Sequence, residues 1–165
     1  MSSSTPEAPT AAVLTVSDSV SRGERTDLSG PAVAEILKKH RFTITTIELV
    51  ADDQDAIQQS IIRLTGSAKL VVTTGGTGIA ERDVTPEATR AVCSRLLEGI
   101  PERMRYEGSK KTPLAALSRG ICGVRGKVLI LNLPGSPRGA TESLDAVIDL
   151  LPHVLQLLKG DTRHA

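Results

Sequence analysis

Aromatic side chains are almost missing from this chain. Phe42 and Tyr106 are the whole inventory, and none of the 165 residues is tryptophan. Readers of single-stranded nucleic acid stack bases on aromatic platforms, so that class is excluded, and the core has to be assembled from Val, Ile, Leu and Ala. An excess of charge is also missing: 20 basic against 19 acidic residues leave a net charge of +1. Spread through the chain, they give no electrostatic footprint for nucleic acid or an anionic membrane, and neither is expected as a partner. Cys93 and Cys122 are far apart and neither belongs to a CxxC pair, which gives no support to a disulfide framework or a zinc site. Reduced thiols fit a cytoplasmic location. His40, His153 and His164 are equally scattered and are assigned no chemistry. No apolar run reaches the length of a membrane-spanning helix or follows a basic start as in a signal peptide. Small molecules and protein surfaces remain as ligands.

What is present suits one domain, since 165 residues with 39% hydrophobic content supply one real core. Residues 1–10, rich in Ser, Thr and Pro, read as a disordered tail, residues 11–160 as the domain and 161–165 as a second tail. Ala11–Val16 reads as a first strand that ends in the polar cluster Ser17, Asp18 and Ser19. Ser21–Ser29 follows as a loop and candidate lid. An amphipathic helix over Pro31–His40, a strand over Phe42–Val50 and a helix bearing Ile57, Ile61 and Leu64 come next, with Asp52 or Asp53 as the cap of the last. Leu70–Thr74 reads as a buried strand, Pro86–Leu97 as a helix, Ile100–Ser109 as a short one, and Leu114–Ser118 as another behind the Thr112 cap. Ile121–Arg125 and Lys127–Asn132 read as two strands that pivot on Gly126. A long helical pattern from Gly139 is interrupted at Pro152. Strands alternating with helices predict an α/β fold, a three-layer α/β/α arrangement with a mainly parallel sheet plus one short hairpin.

The stretch Leu70–Thr89 concentrates the chemistry. Gly75, Gly76 and Gly78 let backbone N–H groups approach an anion, Thr73, Thr74 and Thr77 add hydroxyls, and Thr85, Pro86 and Glu87 read as N-cap, first helical position and first-turn acid. Phosphate is the natural guest. Asp83 beside it would be repulsive unless a cation intervened, and Mg2+ commonly binds through one or two carboxylates plus substrate phosphates. The plainer alternative is that Asp83 only caps the helix and the glycines only turn the chain. A Walker loop is excluded because Gly126-Lys127 continues into Val128, and the dinucleotide fingerprint fails at Glu81. Strand ends at Ser17, Thr74 and Asn132 should converge on one sheet edge, the usual ligand side of an open α/β sheet.

TTGGTG at Thr73–Gly78 followed by RDVTPEAT at Arg82–Thr89, with TVSDS at Thr15–Ser19, LSR at Leu117–Arg119 and LILNLPGSP at Leu129–Pro137, resembles the molybdopterin adenylyltransferase family. The likeness spans roughly Leu14 to Leu158. It implies ATP and molybdopterin as substrates, Mg2+ as cofactor, transfer of AMP to the terminal phosphate of molybdopterin with release of pyrophosphate, and a homotrimer. Carried over by motif, it implies Asp52 and Asp83 as catalytic, metal-holding acids. Thr74, Gly75, Gly76, Thr77 and Gly78 with Pro134, Gly135 and Ser136 form its phosphate and nucleotide cradle. Ser17, Asp18, Ser118 and Arg119 fall on its pterin side. Ala51 and Asp53 replace the Pro and Glu of the family's VPDE segment around Asp52. With no second large domain in the chain, hand-over to a separate molybdenum-insertion protein is implied. A catalytically silent pterin-binding or scaffolding trimer is the alternative that the same resemblance allows.

Overall fold

The computed structural model describes residues 5–160; the expectations for residues 1–4 and 161–165 lie outside them. Four strands of the sheet are mutually parallel: β1 (Thr10–Val16), β2 (Thr43–Val50), β3 (Leu70–Thr74) and a later strand at Val128–Leu133, reached after two others. Those two are β4 (Arg95–Leu96) and β5 (Cys122–Arg125), so the Val128–Leu133 strand is β6. The order across the sheet is β2-β1-β3-β6-β5-β4, with β5 antiparallel to both its neighbours. β1 begins at Thr10, within the span read as a tail, because Thr10 pairs with Thr43.

Strands buried on both faces read as continuous apolar runs, and β3 and β6 are buried at every position. Seven α-helices flank the sheet among the described residues. On one side, α2 (Ser29–Lys39), α5 (Gly99–Ser109), α6 (Pro137–Val147) and α7 (Leu151–Leu158) bury Val33, Leu37, Met104, Leu144 and Leu151 against Val13, Val72 and Leu131. On the other, α3 (Gln54–Leu64) and α4 (Thr85–Val92) bury Ile57, Ile61 and Ala88 against Leu14, Val71 and Ile130. The aliphatic core expected from the lack of aromatics is therefore split by the sheet into two halves. Phe42 is the one aromatic ring within it.

Three local expectations are corrected. The helix expected to reach Leu97 ends at Val92. Ser94 N–H then donates to Val124 O at 2.8 Å, and Leu97 N–H to Cys122 O at 2.8 Å, so Arg95 and Leu96 become a sixth strand. The open edge of β5 offered unpaired carbonyls, and that tertiary pairing overrode the continuation to Leu96 of the helical period set by Ala88, Ala91 and Val92. The second concerns Ser17–Ser29, where a four-residue helix α1 (Asp18–Ser21), capped by the Ser17 hydroxyl, precedes the loop. The third is the segment after Thr112, a 3₁₀ turn at Pro113–Leu117 with no buried residue. Pro152 starts α7 as a new helix rather than kinking α6, consistent with its place in a first turn.

Candidate active site

β3 carries Thr73 and Thr74 to the sheet edge, where the chain reverses through Gly75 and Gly76 at φ +106° and +69°. A Cβ disfavours that left-handed region, and at Gly75 it would also strike Val16 O at 2.2 Å. The turn is stitched to the end of β6: Gly75 N–H donates to Leu133 O at 3.0 Å and the Thr74 hydroxyl to Pro134 O at 2.6 Å. Thr85 closes it from the other side, its N–H donating to Gly76 O at 3.1 Å and its hydroxyl to Gly75 O at 2.9 Å. Thr85 is consequently not the N-cap expected. It is the first residue of α4, with Val84 at the cap position and no side-chain cap bond, because its hydroxyl holds the glycine turn.

The acids gather around this turn. A Cβ on Gly76 would lie 3.2 Å from Asp52 Oδ1, and one on Gly78 would lie 2.7 Å from Asp83 Oδ2, so both carboxylates face the glycine segment. Asp53, not Asp52, caps α3, accepting from Ala56 N–H at 2.8 Å. Asp52 is thereby left for the turn and for a reciprocal link to the first loop: Asp18 N–H donates to Asp52 Oδ2 and Asp52 N–H to Asp18 Oδ1, each at 3.0 Å. Asp18 in turn pairs with Arg82. Asp83 accepts from Ala80 N–H at 3.1 Å and so tightens its own loop rather than capping α4. Burial, with the Asp83 charge second, raises the Asp52 carboxyl above the ordinary aspartate range. A cation between the two acids would relieve that cost.

Two clefts open on either side of the turn, and Gly76, Asp83, Gly135 and Ser136 line both. The first, about 420 Å³, is polar: Ser17, Thr26, Asp27 and Asp52 border it with Arg25, the single basic residue in its lining. The second, about 510 Å³, has an apolar wall of Met104, Leu114 and Leu117 facing Thr77, Gly78 and Ser118. α6 begins at this junction, where Ser136 Oγ accepts from Gly139 N–H at 3.1 Å. Pro137 has no N–H and Ser136 takes those of Gly139 and Ala140, which leaves Arg138 N–H in that first turn to meet an anion.

Residues 12–153 match a family described as a probable molybdopterin binding domain. The chain belongs to this family. It is 44% identical over 153 residues to the molybdopterin adenylyltransferase of Helicobacter pylori strain J99, covering 90% of this chain and 87% of that one. Against the molybdopterin adenylyltransferase of Escherichia coli K12 it is 39% identical over 164 residues, covering 90% and 84%. Among solved structures, the molybdopterin biosynthesis enzyme MoaB of Thermus thermophilus superposes with a TM-score of 0.87 at 49% identity, covering 92% of this chain and 97% of that one.

Within this molybdopterin-binding fold, the sequence motifs fall in three places. The glycine segment, Pro134, Gly135 and Ser136 meet at the junction of the clefts. Ser17 lines the first cleft, with Asp18 tied to Asp52 behind it, whereas Ser118 lines the second; the four residues grouped by motif on the pterin side are not brought together. Arg119 is engaged by the protein itself. Its Nε donates to Gly78 O and its Nη2 to Asp83 O, both at 2.7 Å, and Nη1 meets Glu87, whose carboxyl that bond holds below the usual glutamate range.

Sequence reasoning placed Asn132 at a strand end on the ligand edge but gave it no partners. Fully buried, it donates to the Thr73 and Thr89 hydroxyls at 3.0 and 2.9 Å and accepts from Ile121 N–H at 3.2 Å, joining β6 to β3, α4 and the start of β5. A polar residue inside the apolar run LILNL was the available signal. Asp27 was also missed: it accepts from the Thr15 hydroxyl at 2.8 Å and Gly30 N–H at 3.0 Å, pinning the loop that borders the first cleft. The apolar wall of the second cleft had no signal, since exposed leucines in a 3₁₀ turn have no period to betray them.

Proposed function

We propose that this chain is a molybdopterin adenylyltransferase that transfers AMP from ATP to the terminal phosphate of molybdopterin and releases pyrophosphate. The observation that carries the reading is the shared wall: Asp83 and the glycine turn border two separate clefts, as a reaction joining two phosphate-bearing substrates requires. The polar cleft, with Arg25 and the start of α6, suits the triphosphate, which moves Ser17 and Asp18 to the nucleotide side. The cleft walled by Met104, Leu114 and Leu117 suits a flat heterocycle, with Ser118 at its polar edge. The relatives named molybdopterin adenylyltransferase support the chemistry.

An oxygen of the pterin's terminal phosphate attacks the α-phosphorus of ATP. A new P–O bond forms, the bond from the α-phosphorus to the bridging oxygen breaks, and pyrophosphate leaves with the electron pair. No side-chain nucleophile takes part. The protein contributes positioning, through the glycine turn beyond Gly75, whose N–H is taken by Leu133 O, and through Arg138 N–H at the start of α6, and exclusion of water by the apolar wall. Asp52 and Asp83 are hard oxygen donors facing one turn, and among the described residues no third His, Cys, Asp or Glu completes a cluster with them. That sparse donor set fits Mg2+, which leaves places for substrate phosphates. Mg2+ held there would neutralise phosphate charge and make the α-phosphorus a better electrophile. The same reading includes a homotrimer, a cytoplasmic location and hand-over of the adenylylated pterin to a separate molybdenum-insertion protein.

Purified protein given ATP, Mg2+ and molybdopterin is expected to form adenylylated pterin and pyrophosphate in equal amounts. Pterin binding without turnover would favour the scaffolding alternative.

A further inference from the structure

The loop between the two clefts leaves Gly76 and returns at Thr85, and between them Ile79, Ala80, Glu81 and Arg82 are exposed. Such a segment has little packing to fix it, yet it carries Asp83. The bonds that hold it come largely from one residue. Arg119 N–H donates to Thr77 O at 2.8 Å, Nε to Gly78 O at 2.7 Å and Nη2 to Asp83 O at 2.7 Å, while Nη1 meets Glu87 in the first turn of α4. The two ends of the loop and the helix behind it therefore converge on one rigid, planar group. A guanidinium presents its donors in a fixed fork, so the spacing of the Gly78 and Asp83 carbonyls is set by the shape of the side chain.

We propose that Arg119 is a positioning residue that clips the 78–83 loop shut from beneath, so fixing the Asp83 carboxylate between the clefts rather than binding the pterin. The inference rests on the adenylyltransferase reading for its kinetic arm and on the contacts alone for its structural arm. Each guanidinium nitrogen already has a protein acceptor. An ammonium at this position could not reach Gly78 O, Asp83 O and Glu87 in that geometry, which makes Arg119→Lys an informative partial replacement.

Amide hydrogen exchange on the intact protein reads the clip without any substrate. In Arg119→Ala, exchange at the Ala80 and Asp83 amides, the hydrogen-bonded ones within 78–84, is expected to rise about tenfold or more while β3 and β6 keep their protection, because only the local opening changes. Arg119→Lys is expected to fall between the two, and Glu87→Gln, which weakens one arm, to show a smaller rise. In turnover assays kcat is expected to drop roughly 10- to 100-fold in Arg119→Ala, as for a displaced catalytic group, with more Mg2+ needed for half-maximal rate. Pterin affinity, followed by its fluorescence, is expected to stay within about threefold of wild type, the shift that a change of under 1 kcal/mol gives. Unchanged exchange at 78–84 in both arginine variants would overturn the clip. A loss of pterin affinity with kcat retained at saturating pterin would make Arg119 a binding residue instead. If Arg119→Ala does not fold, the graded exchange of Arg119→Lys and Glu87→Gln decides alone. If wild type itself lacks turnover, the functional reading fails while the exchange result still judges the clip.

Discussion

Asp83 is the charged residue that lines both clefts, and little of the core depends on it. It is half-buried in a loop, and its local bond from Ala80 N–H is one that an asparagine oxygen can also accept. Asp83→Asn is expected to change stability by no more than about 0.5 kcal/mol. The neutral amide cannot hold a divalent cation or shape charge between two polyanions as the carboxylate does, so adenylyl transfer is expected to fall at least about 100-fold. Circular dichroism and a turnover assay on one sample separate these effects. Turnover near the wild-type rate would leave Asp83 as a loop-closing residue only. The two thiols illustrate the opposite case, residues whose chemistry the fold suppresses. Burial pushes Cys93 up to about 11 and Cys122 up to about 12. Cys122 packs in the core half covered by α2 and α6, and Cys93 against the half covered by α3 and α4, so the sheet separates them. With a pKa about three units above pH 8, only about one Cys93 in a thousand is thiolate there. Native protein is expected to resist iodoacetamide at pH 8, and urea-unfolded protein to take up two equivalents; rapid native labelling of either cysteine would contradict the burial.

At the scale of elements, legibility followed the periodicity of the sequence. The runs Leu70–Thr74 and Val128–Leu133 declared buried parallel strands because nothing polar interrupts their function as double-faced elements except Thr73, Thr74 and Asn132, and those three point to contacts at the ligand edge. The stripe Ile57, Ile61, Leu64 declared α3 in the same way. Arg95–Leu96 was illegible: two residues have no period, and their strand exists only because β5 presents an open edge. The glycine turn and Asp83 were legible from residue types alone. The second cleft was not, since Met104, Leu114 and Ser136 come from three elements that only the tertiary fold brings together. The contacts of Arg119 were illegible for a related reason, because a motif gives a residue's identity and not its acceptors. Asn132 is the element-scale joint that follows from the structure. Replacing it by alanine removes three hydrogen bonds and strands the buried hydroxyls of Thr73 and Thr89. Asn132→Ala is expected to destabilise by about 2–3 kcal/mol, read as a lower urea midpoint with an unchanged slope. A cost under about 0.5 kcal/mol would mean that the network relaxes without it.

For the molecule as a whole, the question is how a core with one buried aromatic ring sustains a two-sided sheet. Val, Ile, Leu and Ala fill both halves, but large apolar side chains remain uncovered: Ile47 and Leu49 on the edge strand are 41% and 50% exposed, and Ile79 is 73% exposed. β1 pairs Val13 with Ile47 and Thr15 with Leu49, so these two belong to the sheet face covered by α2 and α6, at its unshielded margin. Isolated exposed leucines need no explanation, whereas adjacent ones along an edge strand are a surface that association would cover. Neither Ile47 nor Leu49 lines either cleft, so association along this edge would act away from the site. Its effect would be on stability and on holding the edge. A homotrimer is the state implied by the family resemblance, and light scattering at micromolar concentration is expected to return about three times the 17.4 kDa chain mass. Dilution is then expected to lower the unfolding temperature, since an oligomer's stability depends on protomer concentration. A monomer of full activity whose unfolding temperature is independent of concentration would remove the trimer and leave the exposed edge of β2 as an ordinary solvated strand.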